Sequence, residues 1–264
     1  MTDAKEPMRL DLKAPHQKYF AKDGKQVCGV TTYLGVLGKD ALMPWAAKME
    51  REGVREHVMR WVVAEAEEKD GLEWVCVESV DEALFSLPKP YFYAGHTSKA
   101  ADLGTIAHAR IEAWLHGTTL DPSGLDEALY AASLAPLERF QEWWDGEGLT
   151  LVASEEQLVH PHVRYGGTID FVAKDRSGYV VLGDIKTTKA NRDWPYPTVV
   201  AQVAAYSQLW QEHSGAPVDR HVVVRVGKTE DDPGQQVWLT PKQIKSGTKL
   251  FLAAMAAYEA QREL

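Results

Sequence analysis

Two short stretches of the chain hold residue types from which a hydrolytic site can be built. The first is Gly166-Gly167-Thr168-Ile169-Asp170-Phe171-Val172-Ala173, and the second is Val180-Val181-Leu182-Gly183-Asp184-Ile185-Lys186-Thr187-Thr188. Each reads as a β-strand, and Arg176-Ser177-Gly178 supplies a turn between them. Side chains two apart on a strand leave the same face, so Asp184 and Lys186 project together, and a neighbouring strand of a hairpin can bring Asp170 beside them. Two facing carboxylates repel and raise each other's pKa, and a divalent cation relieves the repulsion. Mg²⁺ prefers oxygen ligands, and Mn²⁺ also tolerates imidazole. A lysine beside such a cation can orient or help deprotonate a water, or neutralise charge on a phosphorus-centred transition state. Asp with Asp-x-Lys on paired strands is therefore the minimum equipment for phosphodiester hydrolysis. Asp-x-Lys alone equally describes a surface hairpin with an ordinary salt bridge, so the surrounding elements decide.

Those elements form a helical first half followed by alternating strands and helices. Tyr19-Phe20 and Gln26-Val27-Cys28, joined through Asp23-Gly24, read as a hairpin, and Thr31 and Thr32 are candidate caps of the next helix. Residues 45–69 carry a helical apolar face, which Gly53 weakens. Pro88 and Pro90 break any helix between 71 and 96, a second helix runs from about 100 to 115, and Pro136 kinks or divides a third over 126–145. The period then changes: 149–159, 167–173, 179–185, 218–226 and 236–239 read as strands, with helices over 198–212 and 241–263. The result is α/β or α+β, a central sheet flanked by helices. Residues 1–99 are expected to be a hairpin and helical region packing on a core formed by residues 100–264, the whole forming one compact unit.

Two helices add candidates. His108 and Glu112, after Gly104, share one helix face, as do Gln202 and Tyr206. Taken singly, His108 reads as a hydrogen-bonded core histidine, and Gln202 and Tyr206 as interface residues. Taken in order, Gly104…His108…Glu112, Gly167…Asp170, Asp184-Ile185-Lys186 and Gln202…Tyr206 resemble the RecB-like nucleases of the PD-(D/E)XK superfamily. The resemblance covers about residues 100–210. Val30-Thr31-Thr32-Tyr33-Leu34 and Trp45-Ala46-Ala47-Lys48 also resemble phage-encoded exonucleases of this kind and the mitochondrial genome maintenance exonuclease.

The resemblance implies a central mixed sheet with a restriction-endonuclease-like core. It implies that His108, Asp170, Asp184 and the backbone carbonyl of Ile185 bind metal, that Lys186 is the catalytic lysine, and that Gln202 and Tyr206 support Lys186 or contact the nucleic-acid backbone. Glu112 is then an outer ligand or supporting group, and either Glu155 or Glu156 reaches the site, since strand alternation turns only one inward. Some relatives bind an iron–sulfur cluster through clustered cysteines. Cys28 and Cys76 are too few for one, and no Gly-x-x-x-x-Gly-Lys-Ser/Thr loop signals ATP.

Thr187, Thr188, Lys189, Arg192 and Trp194 follow the Asp-x-Lys strand, where hydroxyls and cations can hold phosphates and an indole can stack on a base. Arg164 and Tyr165 precede the Asp170 strand and could act from the other side. A solvated loop with a packed tryptophan has the same composition.

The formal net charge of −9 argues against coating duplex DNA through a broad basic surface, and favours a single strand or an end. Residues 1–13 do not resemble a secretory signal and no apolar run approaches a membrane span, so a cytoplasmic setting is expected, the host's if the protein is phage-encoded. The leading reading is an Mg²⁺- or Mn²⁺-dependent DNA exonuclease in phage-type recombination, repair or replication, with a protein of those processes as a candidate partner. The alternatives are a structure-selective or nicking endonuclease, a non-catalytic DNA-binding subunit that keeps the fold, and an unrelated α/β protein with a fortuitous motif set.

Overall fold

A computed structural model of the chain describes residues 5–12, 17–38, 42–68, 84, 92–188, 194–227 and 231–264. The chain divides into two units, Met1–Gly38 with Leu103–Leu264, and Lys39–Asp102. The hairpin strands are β1 (Tyr19–Phe20) and β2 (Gln26–Val27), paired antiparallel. Gly24 takes the positive φ of 77° that the turn between them requires. Helix α1 (Val30–Leu34) is capped by Gly29 without a side-chain bond, so neither Thr31 nor Thr32 caps it. A 3₁₀ turn over Gly35–Leu37 follows. Helix α2 (Leu42–Glu68), in the second unit, continues through Gly53 without a break. Helix α3 (Phe92–Leu115) begins earlier than its apolar periodicity suggests.

Helix α4 (Glu127–Ala132) and helix α5 (Leu134–Glu147) are separated at Ser133, three residues before the expected breaker. Pro136 instead sits in the first turn of α5, where an N–H has no helical acceptor to lose. The remaining strands are β3 (Thr150–Val159), β4 (Gly166–Lys174), β5 (Val180–Lys186), β6 (Arg220–Arg225) and β7 (Gln235–Leu239), with helix α6 (Pro197–Ser214) between β5 and β6 and helix α7 (Pro241–Glu263) at the end. Pro241 opens α7 behind a capping box of Thr240 and Gln243.

The five strands lie in sequence order in one mixed sheet. All neighbours are antiparallel except β5 and β6, which are parallel and need the crossover that α6 provides. Alternation along β5 gives the sheet two apolar faces. Leu182 joins Val203 and Leu209 of α6 and Phe251 of α7, while Val181 and Ile185 join Ile111 of α3 and Phe140 and Trp144 of α5. The strands that carry Asp170, Asp184 and Lys186 are thus held between helices on both faces. No helix among the described residues is long and apolar enough to cross a membrane.

Candidate active site

The β4–β5 ladder runs from Lys174 opposite Val180 to Phe171 opposite Gly183 and then stops. Gly183 allows the two strands to lie this close, because a Cβ there would overlap the Phe171 ring at 1.8 Å. One step further the same register sets Asp170 against Asp184. There the Asp170 carboxylate, through Oδ2, accepts the backbone N–H of Ile185 at 2.5 Å. The ladder therefore ends in a side chain, and the strands part where the chemistry-bearing residues emerge.

Asp184 is fully buried on β5. The Lys186 ammonium forms an ion pair with its Oδ2 at 2.5 Å, and Oδ1 has no hydrogen-bond partner among the described residues. Lys186 Nζ also lies 3.4 Å from the carbonyl oxygen of Ile185. From α3, His108 brings its Nδ1 to 3.9 Å from Asp170 Oδ2. From β3, Glu155 completes a group with His108 and Asp170 in which one ligand atom of each lies within 4.8 Å of the others. The β3–β4 register, with Ser154 opposite Phe171 and Glu156 opposite Ile169, puts Glu155 across from Asp170. Glu155 is the inward one of the two glutamates. It holds a positive φ of 49°, a conformation that costs a non-glycine residue energy and often marks a functional position.

The electrostatics show carboxyl groups that resist ionising together. Burial raises the Asp184 carboxyl to about 6 against the pull of Lys186. Burial also raises Asp170, against Lys186 and the Ile185 N–H. Glu155 is pushed up to about 9 by burial and then by Asp170 and Glu112. Burial lowers the His108 imidazole to about 4, with Lys186 adding to it. Burial works to lower Lys186, but Asp184 and Asp170 outweigh it and raise its pKa. One lysine does not offset three clustered carboxyl groups, of which Asp184 is fully buried and Asp170 and Glu155 are partly so, and Asp184 Oδ1 has no hydrogen-bond partner among the described residues. This donor set, rich in carboxylate oxygen with one neutral imidazole, fits a hard divalent cation such as Mg²⁺ or Mn²⁺.

Helix α6 lies beside the cluster. Gln202 Nε2 donates to the Tyr206 hydroxyl at 2.9 Å. Burial raises the Tyr206 hydroxyl well above its usual range, with Asp184 and Asp170 adding to it. Two glycines allow this packing. A Cβ on Gly167 would meet the Tyr206 ring at 2.6 Å, and one on Gly104 would meet Thr187 Oγ1 at 2.8 Å. Glu112, a turn beyond His108, is raised by burial and lies near Glu155.

The expected substrate contacts fare differently. Tyr165 is completely buried and donates its hydroxyl to Ala205 O and Gln208 Oε1, so it is a core residue and offers nucleic acid nothing. Arg164 is committed to Asp23 by two bonds of 3.0 and 3.2 Å. Trp194 is 9% exposed and stacks edge-on with Tyr196, so its indole packs inward and does not face solvent for a base. Thr187 and Thr188 are half-buried at the end of β5, and Lys189 and Arg192 lie outside the described residues. Arg225, which no motif singles out, is paired in register with Lys186 across the parallel strands. It is almost fully buried, forks onto Asp232 at 2.6 and 2.8 Å, and donates to Thr188 O at 3.2 Å. It thereby fixes the backbone that leaves the strand carrying Asp184 and Lys186.

Solved structures similar to the chain include a candidate exonuclease from Eubacterium rectale, at 10% identity with a TM-score of 0.41, over 59% of this chain and 65% of that one. The chain thus spans just under two thirds of that protein. An alkaline exonuclease from Laribacter hongkongensis, LHK-Exo, is similar at 17% identity with a TM-score of 0.31, over 62% of this chain and 90% of that one. The same enzyme in complex with dAMP gives 17% identity and a TM-score of 0.32, over 62% and 87%. No curated protein matches the sequence. The sequence model of the PD-(D/E)XK nuclease superfamily matches residues 82–263, well over half of the chain and the whole of the sheet that holds Asp170, Asp184 and Lys186. The chain belongs to the PD-(D/E)XK nuclease superfamily.

Proposed function

We propose that the protein is a metal-dependent deoxyribonuclease acting as an exonuclease on single-stranded DNA or DNA ends. The observation that carries the metal dependence is the fully buried Asp184, with an unpartnered oxygen, set beside Lys186 and grouped with Asp170, Glu155 and His108. Asp170, Asp184, His108 and the Ile185 carbonyl would hold Mg²⁺ or Mn²⁺, with Glu155 as a further carboxylate. Such a cation, when bound, polarises a phosphoryl oxygen and acidifies water. Lys186 donates hydrogen bonds toward the phosphate that the carboxylates face, and Asp184 keeps its ammonium in place. Gln202 steadies the Tyr206 hydroxyl beside the carboxylates.

The preference for single strands or ends rests on the net charge of −9, which disfavours gripping a long duplex. A place in phage-type recombination, repair or replication rests on the resemblance at residues 30–34 and 45–48. The test is incubation with Mg²⁺ or Mn²⁺ and end-labelled linear single-stranded, linear duplex and closed-circular DNA. Stepwise shortening from one end with circles spared is expected. Cut circles would replace the exonuclease with an endonuclease, and no cleavage with either metal would overturn the reading.

A further inference from the structure

The hairpin β1–β2 is docked on the strand that carries Asp170. The N–H of Gly166 donates to Cys28 O at 2.9 Å, and Gly29 bridges Gly166. The Tyr19 ring lies over Gly166, where an added Cβ would come within 2.3 Å of it. The Tyr19 hydroxyl is 3.0 Å from Thr168 Oγ1, which in turn donates to Gln17 Oε1 at 2.5 Å. Arg164 locks the turn through Asp23. Thr168 is two residues before Asp170 on β4, so the hairpin is held at the edge of the proposed site and not loose in solvent.

Tyr19 faces β4, and its neighbour Phe20 points away, 55% exposed. Lys18, Lys22 and Lys25 are exposed around it, and among the described residues none of the three is ion-paired. The one acid in the turn, Asp23, is already taken by Arg164. On a chain of net charge −9 this is a local cationic surface built around an aromatic ring. A solvated hairpin would account for the lysines, but does not call for a large exposed ring beside them or for so many anchoring contacts.

We propose that the hairpin of residues 17–27 is a contact surface for single-stranded nucleic acid, with phosphates on Lys18, Lys22 and Lys25 and a base stacked on Phe20. It would lead the strand toward Asp170. The proposal rests on the nuclease reading. Cations that neutralise phosphates release counterions and make binding salt-dependent, and base stacking on one aromatic ring changes affinity measurably.

The test uses the full chain with Ca²⁺ in place of the catalytic metal, a labelled single-stranded oligonucleotide, and fluorescence anisotropy at several salt concentrations. Two variants are compared, Phe20→Ala and the triple Lys18→Gln, Lys22→Gln, Lys25→Gln. All four side chains are exposed, so the fold should be kept. The triple variant should bind about tenfold or more weaker, with a salt slope shallower by about 2, since each lost contact to a single strand removes about 0.7. Phe20→Ala should weaken binding roughly five- to hundredfold. With Mg²⁺ or Mn²⁺, hydrolysis of bis(p-nitrophenyl) phosphate, too small to reach the hairpin, should be unchanged in both. Unchanged oligonucleotide affinity and salt slope in both variants, with the small diester still hydrolysed, would overturn the hairpin alone. Intact protein that neither binds the oligonucleotide nor hydrolyses either substrate would overturn the nuclease reading with it.

Discussion

The Asp170 carboxylate takes the Ile185 backbone N–H at 2.5 Å, where the next ladder bond between β4 and β5 would otherwise form. One side chain therefore ends the pairing of two strands and faces the residues that the parting exposes. A buried N–H without an acceptor costs about 1–3 kcal/mol, so the position serves folding as well as chemistry.

These two duties can be separated by substitution. Asp170→Asn keeps an oxygen for the Ile185 N–H and removes the charge, and Asp170→Ala removes both. Asn should leave unfolding free energy within about 1 kcal/mol of wild type, while Ala should lose about 1–3 kcal/mol. Both should weaken Mn²⁺ about tenfold or more by calorimetric titration, as loss of a charged ligand requires. His108→Ala should weaken Mn²⁺ more than Mg²⁺, because Mg²⁺ favours oxygen. Unchanged Mn²⁺ affinity in both Asp170→Asn and His108→Ala would remove these residues from the metal shell.

The glycines give a steric prediction. Gly167→Ala sets a methyl 2.6 Å from the Tyr206 ring, and Gly104→Ala sets one 2.8 Å from Thr187 Oγ1. The ring is buried and Tyr206 must shift with α6, so Gly167→Ala should cost about 1–3 kcal/mol in chemical denaturation. Thr187 is half-buried and its hydroxyl can rotate, so Gly104→Ala should cost less than about 1 kcal/mol. Equal losses in the two variants would mean that the packing around Thr187 is as rigid as the core.

Much of this was legible in the residues. Alternation and turn chemistry located all five sheet strands to within about two residues, because each strand is half or fully buried and bounded by Gly, Pro or charged turns. The spacing of Asp184 and Lys186 was enough to put them on one strand face. What depends on long-range packing was not legible. Tyr165 looked like a ligand-facing aromatic from its neighbours in sequence, and Trp194 fitted a stacking and a packed role equally, but the fold uses both to fill the core against α6. Arg164 looked free because Asp23 is far away in the chain. Nothing local distinguishes Glu155 from Glu156. The β3 irregularity between Leu151 and Ala153 and the positive φ at Glu155 are settled by the partner strand. Ser133, not Pro136, divides the third helical stretch, since a proline is tolerated in a first turn.

A pH prediction lies away from the metal cluster. His221 on β6 is 8% exposed, pairs with Ser207 Oγ at 2.8 Å, and is lowered by burial to about 4. The unfolded imidazole binds a proton near pH 6.5, and the folded one does not until about 4. Between these values the unfolded state holds more protons, so stability falls as pH is lowered through that window and is fully present above it. The contribution is on the order of 2–3 kcal/mol between pH 7 and pH 4. His221→Gln, which can still bond Ser207, should flatten that part of the stability–pH curve measured by urea denaturation. An unaltered slope in the variant would show that His221 is already charged in the folded protein, or that other groups govern acid unfolding.

Lys186 and the carboxylate that holds it are the centre of the proposed chemistry. The most direct measurement is the rate of Mg²⁺- or Mn²⁺-dependent degradation of end-labelled DNA by wild type and by Lys186→Ala, with thermal unfolding of both recorded in parallel. The ammonium is 25% exposed at the edge of the cluster, so its removal should leave a folded protein. Wild type should degrade DNA only with the metal present, and Lys186→Ala should be slower by at least about a hundredfold at a similar melting temperature. Near-wild-type turnover in a folded Lys186→Ala, or cleavage that persists in a chelator, would contradict it.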